Sequence, residues 1–86
     1  MPFNKDFDFE IVRSTQSVKE RVEWIEVDSL TGSFTVGKGH SPLIAVLKQG
    51  GTISYNRHAG STVTLDIASV GIFTVHSDKA IIVFDE

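Results

Sequence analysis

Phe7-Asp8-Phe9-Glu10-Ile11 places three large apolar side chains on one side of an extended backbone and two carboxylates on the other. Thr62-Val63-Thr64-Leu65-Asp66-Ile67 repeats the pattern further along. A period of two is the mark of a half-buried antiparallel strand, because successive side chains leave opposite faces of the pleat. Working outward, residues 21–27, 33–36, 43–47, 52–55, 71–75 and 79–84 read as further strands. Residues 28–32, 37–42, 50–51, 56–60 and 76–78 carry the Gly, Pro, Asn, Asp and Ser that turn the chain between them. Val, Ile and Thr number 25 against 9 for Ala, Leu and Met, and branching at Cβ favours sheet over helix. Eight or so short strands, with no helical period long enough to cover a sheet, predict an all-β sandwich or barrel.

Size and charge narrow the function. With 86 residues and 9.4 kDa the chain is expected to form one small domain over 1–86. Surface scaling lets such a chain bury about 63 % of its unfolded surface, enough for one thin core. The formal charge of −3 has the wrong sign for a domain that lives on phosphate backbones, so nucleic acid is not an expected partner. Without cysteine there is neither a disulfide framework nor a thiolate metal site. Residues 1–10 have neither an apolar signal core nor an Arg-rich transit pattern. No apolar run approaches the ~20 residues of a membrane helix, so contact with a membrane is expected only through a partner.

Chemistry-bearing patterns are sparse. His40, His58 and His76 fall in predicted turns and have no second ligand at metal-clip spacing, so no metal or cofactor is expected. No nucleophile elbow is present. Gly37-Lys38-Gly39-His40 lacks the spacing of a phosphate loop, and Pro42 with an apolar strand follows where a helix should open. Glu20, Glu23, Glu26 and Asp28 read as a solvated strand edge, and Trp24 as core or interface. The chain is therefore expected to be no enzyme. Leu43-Ile44-Ala45-Val46-Leu47 is apolar on both faces. Such a strand either lies in the middle of a sandwich or barrel, or packs one face on its own core and the other on a partner.

Gly39-His40-Ser41-Pro42-Leu43-Ile44, followed by Leu47-Lys48-Gln49-Gly50, resembles the Gly-His-Ala-Pro-Leu-Leu and Leu-Lys-Pro-Gly signature of the epsilon subunit of rotary F-type ATP synthases. Phe9-Glu10-Ile11-Val12 is similar to that family's first strand. Residues 22–27, Gly32-Ser33-Phe34-Thr35-Val36, Ser69-Val70-Gly71-Ile72-Phe73-Thr74-Val75 and Lys79-Ala80-Ile81-Ile82-Val83-Phe84-Asp85 continue the likeness in order along nearly the whole chain.

The resemblance implies the family's N-terminal domain, a two-sheet antiparallel β-sandwich. It implies a non-catalytic rotor part that joins the gamma subunit to the c-ring of a proton- or sodium-driven synthase, on the cytoplasmic face of a bacterial inner membrane or the equivalent plastid side. Carried over by position, the gamma-facing surface involves Arg13, His40, Ser41, Ala45 and Ser69, and the ring-facing turn Leu30, Thr31, Gly32 and Ser33. Gly39 and Pro42 shape the loop backbone, since Gly allows positive φ and Pro fixes φ. For His40, an interface contact and an internal loop hydrogen bond are equal readings. Four departures stand out. Ser33 replaces the usual acidic residue of the ring-facing turn, with Asp28 nearby as a substitute. Gln49 replaces proline before Gly50, and Val70 replaces the first glycine of a Ser-Gly-Gly triplet. The family's two C-terminal helices, which brake hydrolysis and in some bacteria help bind ATP, have no counterpart before Glu86, so a short form is expected. The competing reading is a free-standing β-sandwich that binds proteins.

Overall fold

The computed structural model describes residues 6–57 and 60–85. Eight strands follow one another: β1 (Phe7–Val12), β2 (Ser17–Ser29), β3 (Gly32–Gly37), β4 (Leu43–Val46), β5 (Thr52–Arg57), β6 (Thr62–Asp66), β7 (Gly71–His76) and β8 (Lys79–Phe84). No helix interrupts them among the described residues, so the all-β expectation holds. The tip of the predicted 56–60 turn, with His58, lies outside the described residues.

The hydrogen-bonded order is β4-β7-β8-β1-β2-β5-β6, with β3 also on β2. The sandwich arises because β2, 13 residues long, serves both layers. Its first part pairs with β1 from Phe7↔Val22 to Val12↔Ser17, and its second with β3 and β5. Layer one is thus β4-β7-β8-β1 with the start of β2, and layer two is β3, the rest of β2, β5 and β6. The register slips between Val22 and Ile25, where a bulge bends the strand and increases its twist. The slip also settles a phase problem. Val22 and Ile25 are an odd number of residues apart, so strict alternation would expose one of them, yet both are fully buried.

Two features differ from the sequence reading. Strand β2 begins at Ser17, not at residue 21, because Lys19 and Glu20 stand opposite Glu10 and Phe9 in the ladder instead of forming a loop. Every neighbouring pair is antiparallel except β1 with β8, which run parallel from Asp8↔Lys79 to Val12↔Val83. No local pattern announces a pairing between the two ends of a chain.

Inward positions build one core. Phe7, Phe9 and Ile11 of β1 meet Ile53 and Tyr55 of β5, Phe73 and Val75 of β7, and Ala80, Ile82 and Phe84 of β8. Phe9 and Tyr55 meet edge to face at 5.1 Å, and Phe34 from β3 reaches Phe73 at 5.9 Å, so aromatic contacts tie the layers together. The Tyr55 hydroxyl has its pKa raised, first by burial and then by the charge of Glu20, which Arg57 pairs at 3.3 Å.

Candidate functional site

Strand β4 stands at the end of the sheet order and not in its middle. Its Leu43, and Leu47 just past its end, turn to the core, while Ile44 is 78 % exposed. The register extends that outward face across layer one in rows. Val46 lies opposite Ile72, Ile72 opposite Val83, and Val83 opposite Val12. The next row runs Ile44, Thr74, Ile81 and Glu10, and the third His76, Lys79 and Asp8. Apolar groups thus occupy one end of the face and charges the other. At the charged end Arg21 donates to Asp8 Oδ1 at 2.8 Å and holds that carboxyl below its usual pKa. Of the large apolar side chains exposed among the described residues, all but Val18 lie on this face or its rim. A patch of that extent on a small domain marks a contact surface.

The five residues assigned to a gamma-facing surface do not form one patch. Four of them lie at the two ends of layer one, and Ala45 lies within its rows. Arg13 lies just beyond β1, its guanidinium 4.6 Å above the ring of Phe84. Ser69 lies at the same end, next to Val70, whose carbonyl accepts from the Asp85 N–H at 2.7 Å. His40 and Ser41 lie at the opposite end, in the loop before β4. Gly39, with φ +80°, donates its N–H to Asp78 Oδ1 at 2.7 Å and so ties that loop to the β7–β8 turn. His40 Nδ1 donates to the Ser41 carbonyl at 2.7 Å, the internal hydrogen bond that was one of its two readings. Ala45 shares the inward side of its row with Phe73 and Ile82, yet also lines a shallow hollow with Leu30, Thr31, Ile44 and Val46. Pro42 borders an apolar hollow formed with Leu43, Ile44, Thr74, Val75 and His76.

Sequence reasoning missed Val12, Ile72, Ile81 and Val83. The signal was present, because residues 80–84 are as apolar on both faces as residues 43–47. Only the second run stood out, since it sits beside the glycine- and proline-containing loop.

The predicted ring-facing residues do come together, as the tip of the β2–β3 hairpin. Leu30 is 68 % exposed, and its N–H donates to the Val46 carbonyl at 3.0 Å, which joins the tip to the apolar face. Ser29 Oγ donates to the Gly32 carbonyl at 2.7 Å and accepts from the Thr31 N–H at 3.3 Å, which closes the turn. Ser33 donates to Asp28 Oδ1 at 2.6 Å, so a carboxylate stands beside the serine that replaces an acid. That hydrogen bond first, and the Thr52 N–H at 2.9 Å second, lower the pKa of Asp28. The departure at Gln49 is absorbed locally. Gln49 reaches the Ala68 carbonyl at 3.1 Å, and the turn after it still closes through Gly51 N–H to Lys48 carbonyl at 2.9 Å.

The outer face of layer two is different. Thr35, Glu26, Ser54 and Thr64 form one cross-strand row, with Ser54 and Thr64 hydroxyls 3.1 Å apart. Glu23 and Glu26 are exposed, as a solvated edge requires, and Trp24 is half-buried opposite Gly37. Among the described residues no His, Asp or Glu cluster has the arrangement of a metal site.

Comparison with known proteins agrees with this architecture. No curated protein matches the chain. The fold is similar to a chain in a cryo-EM structure of the Euglena gracilis mitochondrial ATP synthase, described as OSCP/F1/c-ring in rotational state 1, with a TM-score of 0.81 and 16 % identity. The match covers 100 % of this chain and 54 % of that one, so this chain spans about half of its length. Residues 6–86 match the family described as ATP synthase, Delta/Epsilon chain, beta-sandwich domain, and the chain belongs to that family.

Proposed function

We propose that the chain is a central-stalk subunit of an F-type ATP synthase, linking the gamma subunit to the c-ring so that ring rotation reaches the catalytic head. One observation carries the reading: a member of this family, matched over residues 6–86, presents an apolar outer face across β4, β7, β8 and β1 with the β2–β3 tip at its rim. Rotary coupling needs an area of complementary surface and not a cleft with displaced titrating groups.

In this reading gamma covers the rows of Val46, Ile72, Val83 and Val12 and of Ile44 and Ile81, while Arg13, His40, Ser41 and Ser69 hold the edges of that contact. Leu30, Thr31, Gly32 and Ser33 meet the polar loops of the ring, and Asp28 supplies negative charge beside Ser33. The chain catalyses no step itself, takes no cofactor, and reaches the membrane only through the ring. Among the described residues no helix is long and apolar enough to cross a membrane.

Size-exclusion chromatography of the chain mixed with the gamma subunit of the same organism tests this. Co-elution as a one-to-one complex is expected. Failure to bind a demonstrably folded gamma would overturn the rotor reading and favour a free-standing binding module.

A further inference from the structure

We infer that the free chain pairs with a second copy of itself through the outer face of layer one. The two-fold axis would lie in the plane of that face and cross β8 about 15° from a right angle. Strand β8 suggests the partner. By alternation, its outward positions are Lys79, Ile81 and Val83, and Asp85 follows in the same phase just past its end. The outward face therefore reads cation, two aliphatics, anion. Stacked antiparallel on its own copy, such a strand sets Ile81 on Val83 and Lys79 on Asp85, twice by symmetry. On β7 the same operation sets Ile72 over Thr74 and Val70 over His76, so no buried like-charge contact arises along the central two strands. Two sheets packed face to face run nearly aligned, crossing at about 30°, which an antiparallel stack of β8 on β8 permits.

The footprint fixes the strength. Four strands at ~4.8 Å and six residues at ~3.4 Å give roughly 19 by 20 Å, or about 400 Å² of planar face. That is about half of the ~800 Å² per partner in a stable complex, so the pairing is weak and reversible. It uses the surface assigned above to gamma, and the two contacts exclude each other. The inference itself rests on the geometry of the face and holds or fails without the rotor reading.

Sedimentation equilibrium of the 86-residue chain tests it. The weight-average mass should rise from 9.4 kDa toward twice that value between about 10 µM and about 1 mM. Asp85→Lys should weaken the association about tenfold, because it opposes lysines at two symmetric positions. Adding Lys79→Asp to that variant should restore the association, since the charges are then merely exchanged. A chain that stays monomeric to about 1 mM overturns the inference. So does self-association that Asp85→Lys leaves unchanged, or that the double variant fails to restore. Both positions are exposed, and circular dichroism of each variant checks that the fold is intact.

Discussion

The two outer faces of the sandwich are made by strands of the same kind and end up with opposite surfaces. Layer two shows water a ladder of hydroxyls and carboxylates: Thr35, Glu26, Ser54 and Thr64, then Ser33, Asp28, Thr52 and Asp66. Layer one shows it Ile44, Val46, Ile72, Ile81, Val83 and Val12. Both layers feed the same core with their inward positions, so stability alone does not account for the difference. An aliphatic side chain left in water forgoes about 1.5–3 kcal/mol that burial would supply. A face that forgoes it at several adjoining positions is built for a cover. The hydroxyl face, whose polar groups already bond one another, needs none.

The sharpest way to break this comparison is to charge one residue on each face. If gamma covers layer one as proposed, Val83→Asp should weaken its binding by about 100-fold or more, the loss expected from a central apolar anchor. Thr64→Asp should leave it unchanged. Isothermal titration calorimetry with gamma reads both, and equal effects would erase the distinction between the faces. Ala45→Asp is a poorer probe, because the position shares the inward row of Phe73 and Ile82 and a charge there also disturbs the core.

Much of the fold was legible because it is local. Alternation at residues 7–11 and 62–67 is a direct statement of which side chains face inward, and Gly and Pro mark where strands must stop. The parts that escaped are those in which distant segments set the outcome. The β1–β8 parallel pair joins the two ends of the chain. The β2 bulge reverses the phase between Val22 and Ile25, which a strict period of two misreads. The candidate docking face escaped in part for a related reason. Ile44 could be suspected from its own strand, but Ile72, Ile81 and Val83 join it only through pairing register. Conversely, Arg13, His40, Ser41 and Ser69, which the resemblance groups on one surface, lie at opposite ends of layer one, Arg13 and Ser69 at one and His40 and Ser41 at the other.

A stability measurement sharpens the account of layer one at its seam. A Cβ at Gly71 would lie 2.8 Å from Leu47 Cδ1, 3.0 Å from Phe84 Cδ1 and 3.1 Å from the Val83 carbonyl oxygen. The side chains can shift, but the carbonyl belongs to the β8 ladder and cannot shift freely. Gly71→Ala should therefore cost about 1–3 kcal/mol, the usual penalty of overpacking, read by urea denaturation. An unchanged midpoint would mean that the junction of β4, β7 and β8 is looser than its distances imply. Arg13→Ala should cost less, about 0.5–1 kcal/mol, through loss of the guanidinium above Phe84.

The smallest expected effect belongs to layer two and depends on pH. Asp28 accepts from the Ser33 hydroxyl at 2.6 Å and from the Thr52 N–H at 2.9 Å, and these hydrogen bonds lower its pKa in the folded chain. A carboxyl with a folded pKa below its unfolded value binds protons more readily when unfolded. Its contribution to stability is then fully present above the unfolded value, about 3.9, and is lost as pH falls through the folded value. Asp28→Asn should therefore flatten the acid limb of the melting temperature below about pH 4 while leaving the slope above pH 6 unchanged. The same scan on Asp8→Asn provides the layer-one counterpart, because Arg21 lowers the pKa of Asp8 in the same direction. Arg21 acts there first through a hydrogen bond from a cationic group and further through its charge, whereas Ser33 and the Thr52 amide act on Asp28 through neutral dipoles. Added salt should weaken the Asp8 effect and spare the Asp28 effect. Equal sensitivity to salt at both positions would mean that the two faces stabilise their carboxylates in the same way, and the contrast between a charged corner and a hydroxyl ladder would fail at that point.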